Sequence, residues 1–129
     1  MQSIIRMMTN ICSDNLQKSK EFYTRLFDLN VDFDSEWYVH LSSQDSKFEL
    51  GIIDRSHDVV PKEFQQHPQG FYITFVVDNV DHLFTSIKEN EIEVISEPKN
   101  TSYGQRRCLL KDPDGTLIDI SSPIEGFKI

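Results

Sequence analysis

Cysteine is scarce in this chain, which has only Cys12 and Cys108 among its 129 residues. Two cysteines so far apart make neither a disulfide framework nor a thiolate zinc site, so we expect both thiols to be reduced. No apolar run approaches the ~20 residues that span a bilayer. The first dozen residues also lack the apolar stretch and small-residue cleavage site of a secretory signal. These absences predict a soluble, cytoplasmic protein without a membrane partner.

Positively charged residues are fewer than negatively charged residues in this chain. The chain has 13 Lys and Arg against 21 Asp and Glu, a formal net charge of −8. An acidic surface repels phosphate backbones, so we expect no nucleic-acid partner. Hydrophobic residues make up 38% of the chain and aromatic residues 11%, which suffices for one globular domain over residues 1–129.

Motifs for covalent or local metal chemistry are missing as well. None of the four histidines pairs with another at a chelating spacing. No Gly-x-Ser-x-Gly nucleophile motif occurs, and neither cysteine has a base beside it in the sequence. The residues by themselves therefore predict no catalytic group. Of the histidines, only His40 lies in a predicted strand from which it could approach a binding site, and a lone strand histidine is more often a core or surface residue.

What the sequence does contain is one pattern used twice. Residues 11–16 align with residues 75–80, and each copy ends in an Asp-Asn pair followed by apolar residues at helical spacing. Asn15 and Asn79 are therefore predicted to cap two helices. The remaining apolar segments alternate as strands do and are separated by turn residues. We predict strands over 7–12, 31–33, 37–41, 48–53, 71–77, 93–95, 105–110 and 116–120.

Each half therefore has the order strand, helix, strand, strand, strand. The first module covers about residues 1–56 and the second about residues 70–129, with a linker over about 57–69 that holds Pro61, Pro68 and two histidines. The Asp112–Gly115 segment has the composition of a tight turn and is predicted to be structural.

Several segments in this order resemble the vicinal oxygen chelate superfamily of glyoxalase I, bleomycin resistance proteins and extradiol dioxygenases. They are Asp14-Asn15-Leu16 with Phe22-Tyr23, Glu49-Leu50-Gly51, Asp78-Asn79-Val80-Asp81, Gly104-Gln105-Arg106-Arg107, Asp112-Pro113-Asp114-Gly115 and Leu117-Ile118-Asp119. The resemblance implies an α+β fold in which two βαβββ modules form a U-shaped, partly closed mixed sheet around a cleft. It also implies a homodimer.

The same resemblance implies where a metal would bind. Metal-dependent members of the superfamily place four ligands in the cleft, and the matching positions here are Met8, Glu49, Tyr72 and Asp119. Both histidine positions are thus vacant. A thioether and a phenol with an ordinary pKa of ~10 are poor ligands for divalent ions. We therefore predict no metal cofactor, and we expect Met8 and Tyr72 to be cleft-wall residues.

The predicted function is binding of a small organic molecule in the cleft. Two carboxylates at Glu49 and Asp119 would repel each other, which favours a ligand with amine or hydroxyl donors, such as a cationic glycopeptide antibiotic. The apolar body of the ligand would contact residues of the cleft wall. One arginine of the Arg106-Arg107 pair would face the cleft, since neighbouring strand residues point to opposite faces. The candidate ligand-binding residues are Met8, Trp37, Tyr38, Glu49, Tyr72, Tyr103, Arg106 and Asp119.

Two other interpretations stay open from the sequence. One is a metal-dependent lyase, isomerase or dioxygenase that uses Glu49 and Asp119 to hold a divalent ion. The other is an interaction module with no ligand, in which Met8, Trp37 and Tyr72 fill the cleft. The sequence therefore leaves open whether the protein is an enzyme.

Overall fold

Eight strands and two α-helices make up the structure, a computed structural model that describes residues 1–126. The first half contains β1 (Thr9–Ser13), α1 (Leu16–Leu26), β2 (Leu29–Asp34), β3 (Tyr38–Ser43) and β4 (Glu49–Asp54). The second half contains β5 (Tyr72–Val76), α2 (Val80–Glu89), β6 (Glu93–Asn100), β7 (Gln105–Lys111) and β8 (Leu117–Pro123). A short 3-10 turn, Lys62–Phe64, lies between the halves. Every strand and helix predicted from the sequence is present.

Each half folds into its own four-stranded mixed sheet. The strand order is β1-β4-β3-β2 in the first sheet and β5-β8-β7-β6 in the second. The first strand of each half runs parallel to the fourth, and the other pairs are antiparallel. The predicted α+β fold with two βαβββ modules is therefore confirmed.

Most predicted strand boundaries differ from the structure by one to three residues, and the end of the sixth strand differs by five. The first strand begins at Thr9, so Met7 and Met8 precede it. The sixth strand is much longer than the predicted 93–95, because it continues through Pro98 to Asn100. That strand pairs only with β7 and has a free edge, where a proline and a bulge are tolerated.

Asparagine caps begin both helices, as predicted. The Asn15 side chain accepts a hydrogen bond from Lys18 N at 3.1 Å, and the Asn79 side chain accepts one from His82 N at 3.0 Å. These bonds satisfy backbone donors that the first helical turn leaves without a partner. The repeated Asp-Asn pair in the sequence thus marks the start of each helix.

The helix of each unit covers one face of the sheet in that unit. In the first unit, Phe22, Tyr23 and Leu26 of α1 are buried, and Ser13 contacts Ser19 across the interface. The helix-side residues of the sheet are apolar and fully or almost fully buried; they are Ile11, Val39, Leu41, Leu50 and Ile52. In the second unit the corresponding core consists of Val80, Phe84, Ile87, Cys108, Leu110, Ile118 and Ile120.

The chain divides into two compact units, the first being Met1–Pro68 and the second starting at Gln69. The linker segment belongs to the first unit. Asp14 in the β1–α1 turn accepts a hydrogen bond from Arg55 at 2.7 Å and contacts His67. His57 stacks on Trp37 with the ring centroids 4.0 Å apart. Among residues 1–126, no helix is long and apolar enough to cross a membrane.

Candidate functional site

The sheet face opposite each helix is called the helix-free face here. In the first unit, strand register places Asn10 beside Gly51 and Gly51 beside His40, and all three point to this face. Glu49 lies two residues before Gly51 on the same face, and Tyr38 lies two residues before His40. Polar side chains therefore concentrate on the helix-free face of the first sheet.

Glu49 is the centre of this polar cluster. The Arg6 guanidinium, which precedes β1, donates from Nε to both carboxylate oxygens of Glu49 at 2.9 and 2.8 Å. On the other side, His40 Nε2 lies 2.9 Å from Glu49 Oε1, and His40 Nδ1 lies 3.0 Å from Asp32 Oδ2. Each ring nitrogen of His40 thus faces a carboxylate, and only a protonated ring donates to both at once.

The Glu49 carboxylate is ionised at neutral pH. Hydrogen bonds from Arg6, and to a smaller extent from His40, lower its pKa to about 2 against the opposing effect of partial desolvation. The Glu49 side chain is only 13% exposed, whereas that of Arg6 is 60% exposed. The site is therefore a fixed, partly buried negative charge whose counter-charge comes from an exposed side chain.

A second hydrogen bond crosses the same face. Tyr38 Oη donates to Asn10 Oδ1 at 3.1 Å, which joins β3 to β1 over the intervening strand β4. Gly51 lies beneath this bond, and a Cβ atom at that position would come within 3.0 Å of Asn10 Oδ1 and Tyr38 Oη. Glycine is needed here for the close approach of two side chains, not for an unusual backbone angle. Burial raises the pKa of the Tyr38 phenol, which keeps it a donor.

Aromatic rings border the polar cluster. Phe33 is paired with His40 on the neighbouring strand, is 52% exposed, and has its ring centroid 6.4 Å from that of Tyr38. Trp37, another predicted site residue, precedes β3; its ring centroid lies 5.8 Å from that of Tyr38, and it stacks on His57 of the linker segment. The rings that border the polar cluster are thus those of Tyr38, Phe33 and Trp37, and Phe33 was not predicted.

In the second unit, Asp119 lies on the helix-free face and is almost fully buried. Its Oδ1 accepts hydrogen bonds from Ser121 Oγ at 2.8 Å and Arg107 Nε at 3.2 Å, and its Oδ2 accepts one from Thr74 Oγ1 at 2.9 Å. Both carboxylate oxygens are occupied by groups of the same unit. This arrangement is that of a carboxylate that holds three strands together.

The two arginines point to opposite faces, as strand alternation requires. Arg106 lies on the helix side, where it donates to both carboxylate oxygens of Asp81 in the first turn of α2. Arg107 lies on the helix-free face with Asp119. The structure therefore does not bring the predicted site residue Arg106 to Asp119, and Arg107 takes that place. The sequence left this choice open because a slip of one residue exchanges the two faces.

Of the other predicted site residues, Met8 lies in the first unit, and Tyr72 and Tyr103 lie in the second. Met8 precedes β1, where an extension of the strand register would place it beside Glu49. Tyr72 is exposed and is paired with Leu117, while Asp119 is paired two residues further on with Thr74. Tyr103 lies exposed in the turn between β6 and β7. Within the first unit, the structure groups Tyr38 and Glu49 with residues that were not predicted as ligand-binding.

The donor set does not fit a metal ion. Met8 and Tyr72 offer a thioether and a phenol, while Glu49 and Asp119 are both bound to arginines. Across residues 1–126, no group of three or more His, Cys, Asp or Glu side chains is arranged to hold a metal. The chemistry of these residues supports ionic and hydrogen-bond recognition, with no step that depends on a Lewis acid.

Sequence reasoning missed Arg6 and Asp32, and considered His40 only as a possible neighbour of the site. Strand alternation could have placed His40 on the face of Glu49, since both lie on adjacent strands with matching parity. No such signal existed for Arg6, which precedes the first strand, or for Asp32, which lies at a bulge between Val31 and Phe33.

We expect Gly51→Ala to destabilise the first unit by about 1–3 kcal/mol, because the new methyl group would be forced against the Tyr38–Asn10 hydrogen bond. Urea denaturation measures this cost. The matched control is the same substitution in an Asn10→Ala, Tyr38→Ala background, where the added Cβ has room. An equal cost in both backgrounds would contradict the explanation.

We also expect Arg6→Ala to raise the pKa of Glu49 from about 2 toward its ordinary value of 4.5. Since the folded-state pKa is the lower one, this interaction stabilises the protein above about pH 4.5 and is lost as the pH falls toward 2. An NMR titration of the Glu49 carboxyl carbon measures the pKa directly. Arg25→Ala, which removes a helix-surface arginine, is the control, and an unchanged Glu49 midpoint in Arg6→Ala would contradict the assignment.

Comparison with known proteins agrees with the fold and the order of motifs. Residues 6–125 match the model of a family described as Glyoxalase-like domain. No curated protein sequence matches the chain significantly. A hypothetical protein from S. aureus is 23% identical with a TM-score of 0.73, over 94% of this chain and 95% of that chain.

Two solved structures carry superfamily names. A glyoxalase/bleomycin resistance protein/dioxygenase from Nocardioides is 18% identical, with a TM-score of 0.76 over 99% of this chain and 89% of that chain. A glyoxalase/bleomycin resistance protein/dioxygenase family enzyme from Burkholderia phytofirmans PsJN is 19% identical, with a TM-score of 0.78 over 91% of this chain and 97% of that chain. At these identities the structural likeness shows the fold alone, and the family match covers nearly the whole sequence. The chain therefore belongs to the glyoxalase-like family of the vicinal oxygen chelate superfamily, as its motifs indicated.

Proposed function

We propose that this protein binds a small organic cation with an aromatic or apolar body on the helix-free face of its first sheet, without a metal. The observation that carries the proposal is Glu49. Its carboxylate is ionised, only 13% exposed and fixed on a strand. A partly buried charge in such a position is costly unless it is paired, so the site selects for a positive partner.

The surroundings of Glu49 suit a ligand that has a cationic head group at one end and an apolar body at the other. The carboxylates of Glu49 and Asp32 favour a cationic head group. The rings of Phe33 and Tyr38 offer a flat apolar surface nearby, and aromatic faces also attract cations. Charge and ring surface on one sheet face are typical of sites for small amphipathic molecules.

The protonation state of Glu49 favours binding over catalysis. A carboxylate with a pKa of about 2 is a weak base at neutral pH, and it cannot act as a general acid there because it holds no proton. Reversible binding or sequestration of the ligand is thus the proposed mode of action.

A homodimer and a cytoplasmic location are part of the same proposal. The homodimer rests on the dimerisation that the family resemblance implies, and the location rests on the sequence features described above. Tyr72, Tyr103, Arg106 and Asp119 belong to the second unit. The proposed binding residues of the first unit are Tyr38 and Glu49, with Arg6, Asp32, Phe33 and His40 added and with Trp37 and Met8 at the margin.

Calorimetric titration with benzylamine, and with bleomycin as a larger cation, tests the proposal. We expect binding that Glu49→Gln weakens by about tenfold or more, since a charge-assisted bond contributes ~1.5–3 kcal/mol. Benzyl alcohol serves as the uncharged ligand control. Glu36→Gln, the same substitution at an exposed carboxylate outside the cluster, is the protein control and should bind as the unmodified protein does. Binding that is indifferent to Glu49, or no binding of any cation, would contradict the proposal.

Metal content tests the alternative of a metal-dependent lyase, isomerase or dioxygenase. We expect no retention after incubation with Ni²⁺, Zn²⁺, Mn²⁺ or Fe²⁺ and desalting, because both carboxylates are already paired with arginines. Mass spectrometry of the desalted protein gives the stoichiometry. Near-stoichiometric retention that disappears in Glu49→Ala, Asp119→Ala would overturn the proposal in favour of an enzyme.

A further inference from the structure

The N-terminal segment, residues 1–8, is attached to the site through one side chain. The segment has no regular secondary structure, and its apolar residues Ile4, Ile5 and Met7 are exposed. From this segment the Arg6 side chain reaches Glu49 and lies 3.4 Å from His40 Nε2. The cation that neutralises the site is therefore supplied by an exposed arm outside the sheet.

The form of this contact indicates what the site accepts. Nε of Arg6 is within hydrogen-bond distance of both Glu49 oxygens, and Nη2 also contacts Oε1. Planar N–H groups that meet a carboxylate side-on make a fork that guanidinium and amidinium groups share. An ammonium is a compact point charge and does not reproduce this geometry. The Arg6 guanidinium thus indicates the geometry of the ligand head group that Glu49 accepts.

The two partners differ in how firmly they are held. Glu49 is fixed by the pairing of β4 with β1 and β3, whereas Arg6 is exposed and lies before the first strand. The exposed Arg6 guanidinium regains its hydration when it leaves, so the cost of separation falls on the partly buried Glu49 carboxylate. Arg6 can therefore leave at small cost, provided that another cation takes its place on Glu49.

An external ligand has one advantage over Arg6. The Phe33 and Tyr38 rings on the same face can contact an aromatic body next to the head group. Arg6 has the advantage of being tethered, which gives it a high local concentration at Glu49. The two effects oppose each other, so a ligand displaces Arg6 only if its contacts with the rings outweigh the advantage of tethering.

We propose that Arg6 is an internal stand-in for the ligand, and that the Glu49 site takes a planar guanidinium or amidinium cation with an aromatic body, which binds by displacing Arg6. This inference rests on the proposed function, since it concerns the same site. It adds the class of head group and a self-inhibitory role for the N-terminal arm.

Titration of the full chain with benzamidine tests this inference. We expect benzamidine to bind more tightly than benzylamine, and Arg6→Ala to tighten benzamidine binding by about threefold to tenfold, because removal of the tethered competitor frees Glu49. The Arg6 Nε–H resonance in the unmodified protein should shift as benzamidine is added. Arg25→Ala is the matched control and should leave the affinity unchanged.

The outcomes separate this inference from the proposed function. Equal or weaker benzamidine binding by Arg6→Ala, with binding still lost in Glu49→Gln, would overturn the role of Arg6 and leave the proposed function standing. Benzylamine binding that depends on Glu49 while benzamidine fails to bind would overturn the planar head group. Failure of every cation to bind in a Glu49-dependent way, in Arg6→Ala as well, would overturn both.

Discussion

The parallel pairing of the first strand with the fourth is the constraint on which each unit depends. Parallel neighbours cannot be joined by a tight turn, so a helix and two further strands lie between β1 and β4, and likewise between β5 and β8. The helix then covers one face of the sheet and leaves the other without a helix of its own. Residues distant in sequence, such as Asn10 and Gly51, become neighbours on that face.

The two halves show how one topology carries different chemistry. In the register of the first sheet Gly51 is paired with Asn10, and at the corresponding place in the second sheet Asp119 is paired with Thr74. The glycine leaves room for a hydrogen bond that crosses three strands. The aspartate fills the same space and bonds to Thr74, Arg107 and Ser121. One half thus carries an exposed polar cluster, and the other carries a closed, satisfied network.

Pairing with arginine changes what a carboxylate can do. A free, partly buried carboxylate would hold a raised pKa and be available for proton transfer or metal binding. Here Arg6 and His40 lower the pKa of Glu49, and Arg107 occupies Asp119. The low pKa makes Glu49 a weak base while it keeps its negative charge. This is the physical ground on which we propose that the first sheet recognises a cation.

The sequence by itself determined the fold. Repeated Asp-Asn pairs, apolar alternation and turn residues are local signals, and they placed all eight strands, both helices and both asparagine caps. It also identified Glu49 and Asp119 through the family's motifs, and Tyr38 as a candidate ligand-binding residue. Only the tertiary structure decided which arginine accompanies which carboxylate. Arg6 reaches Glu49 from outside any strand, and Arg106 and Arg107 differ only in the face to which register assigns them. Ion pairs between distant residues depend on strand register and chain direction, which no local pattern records.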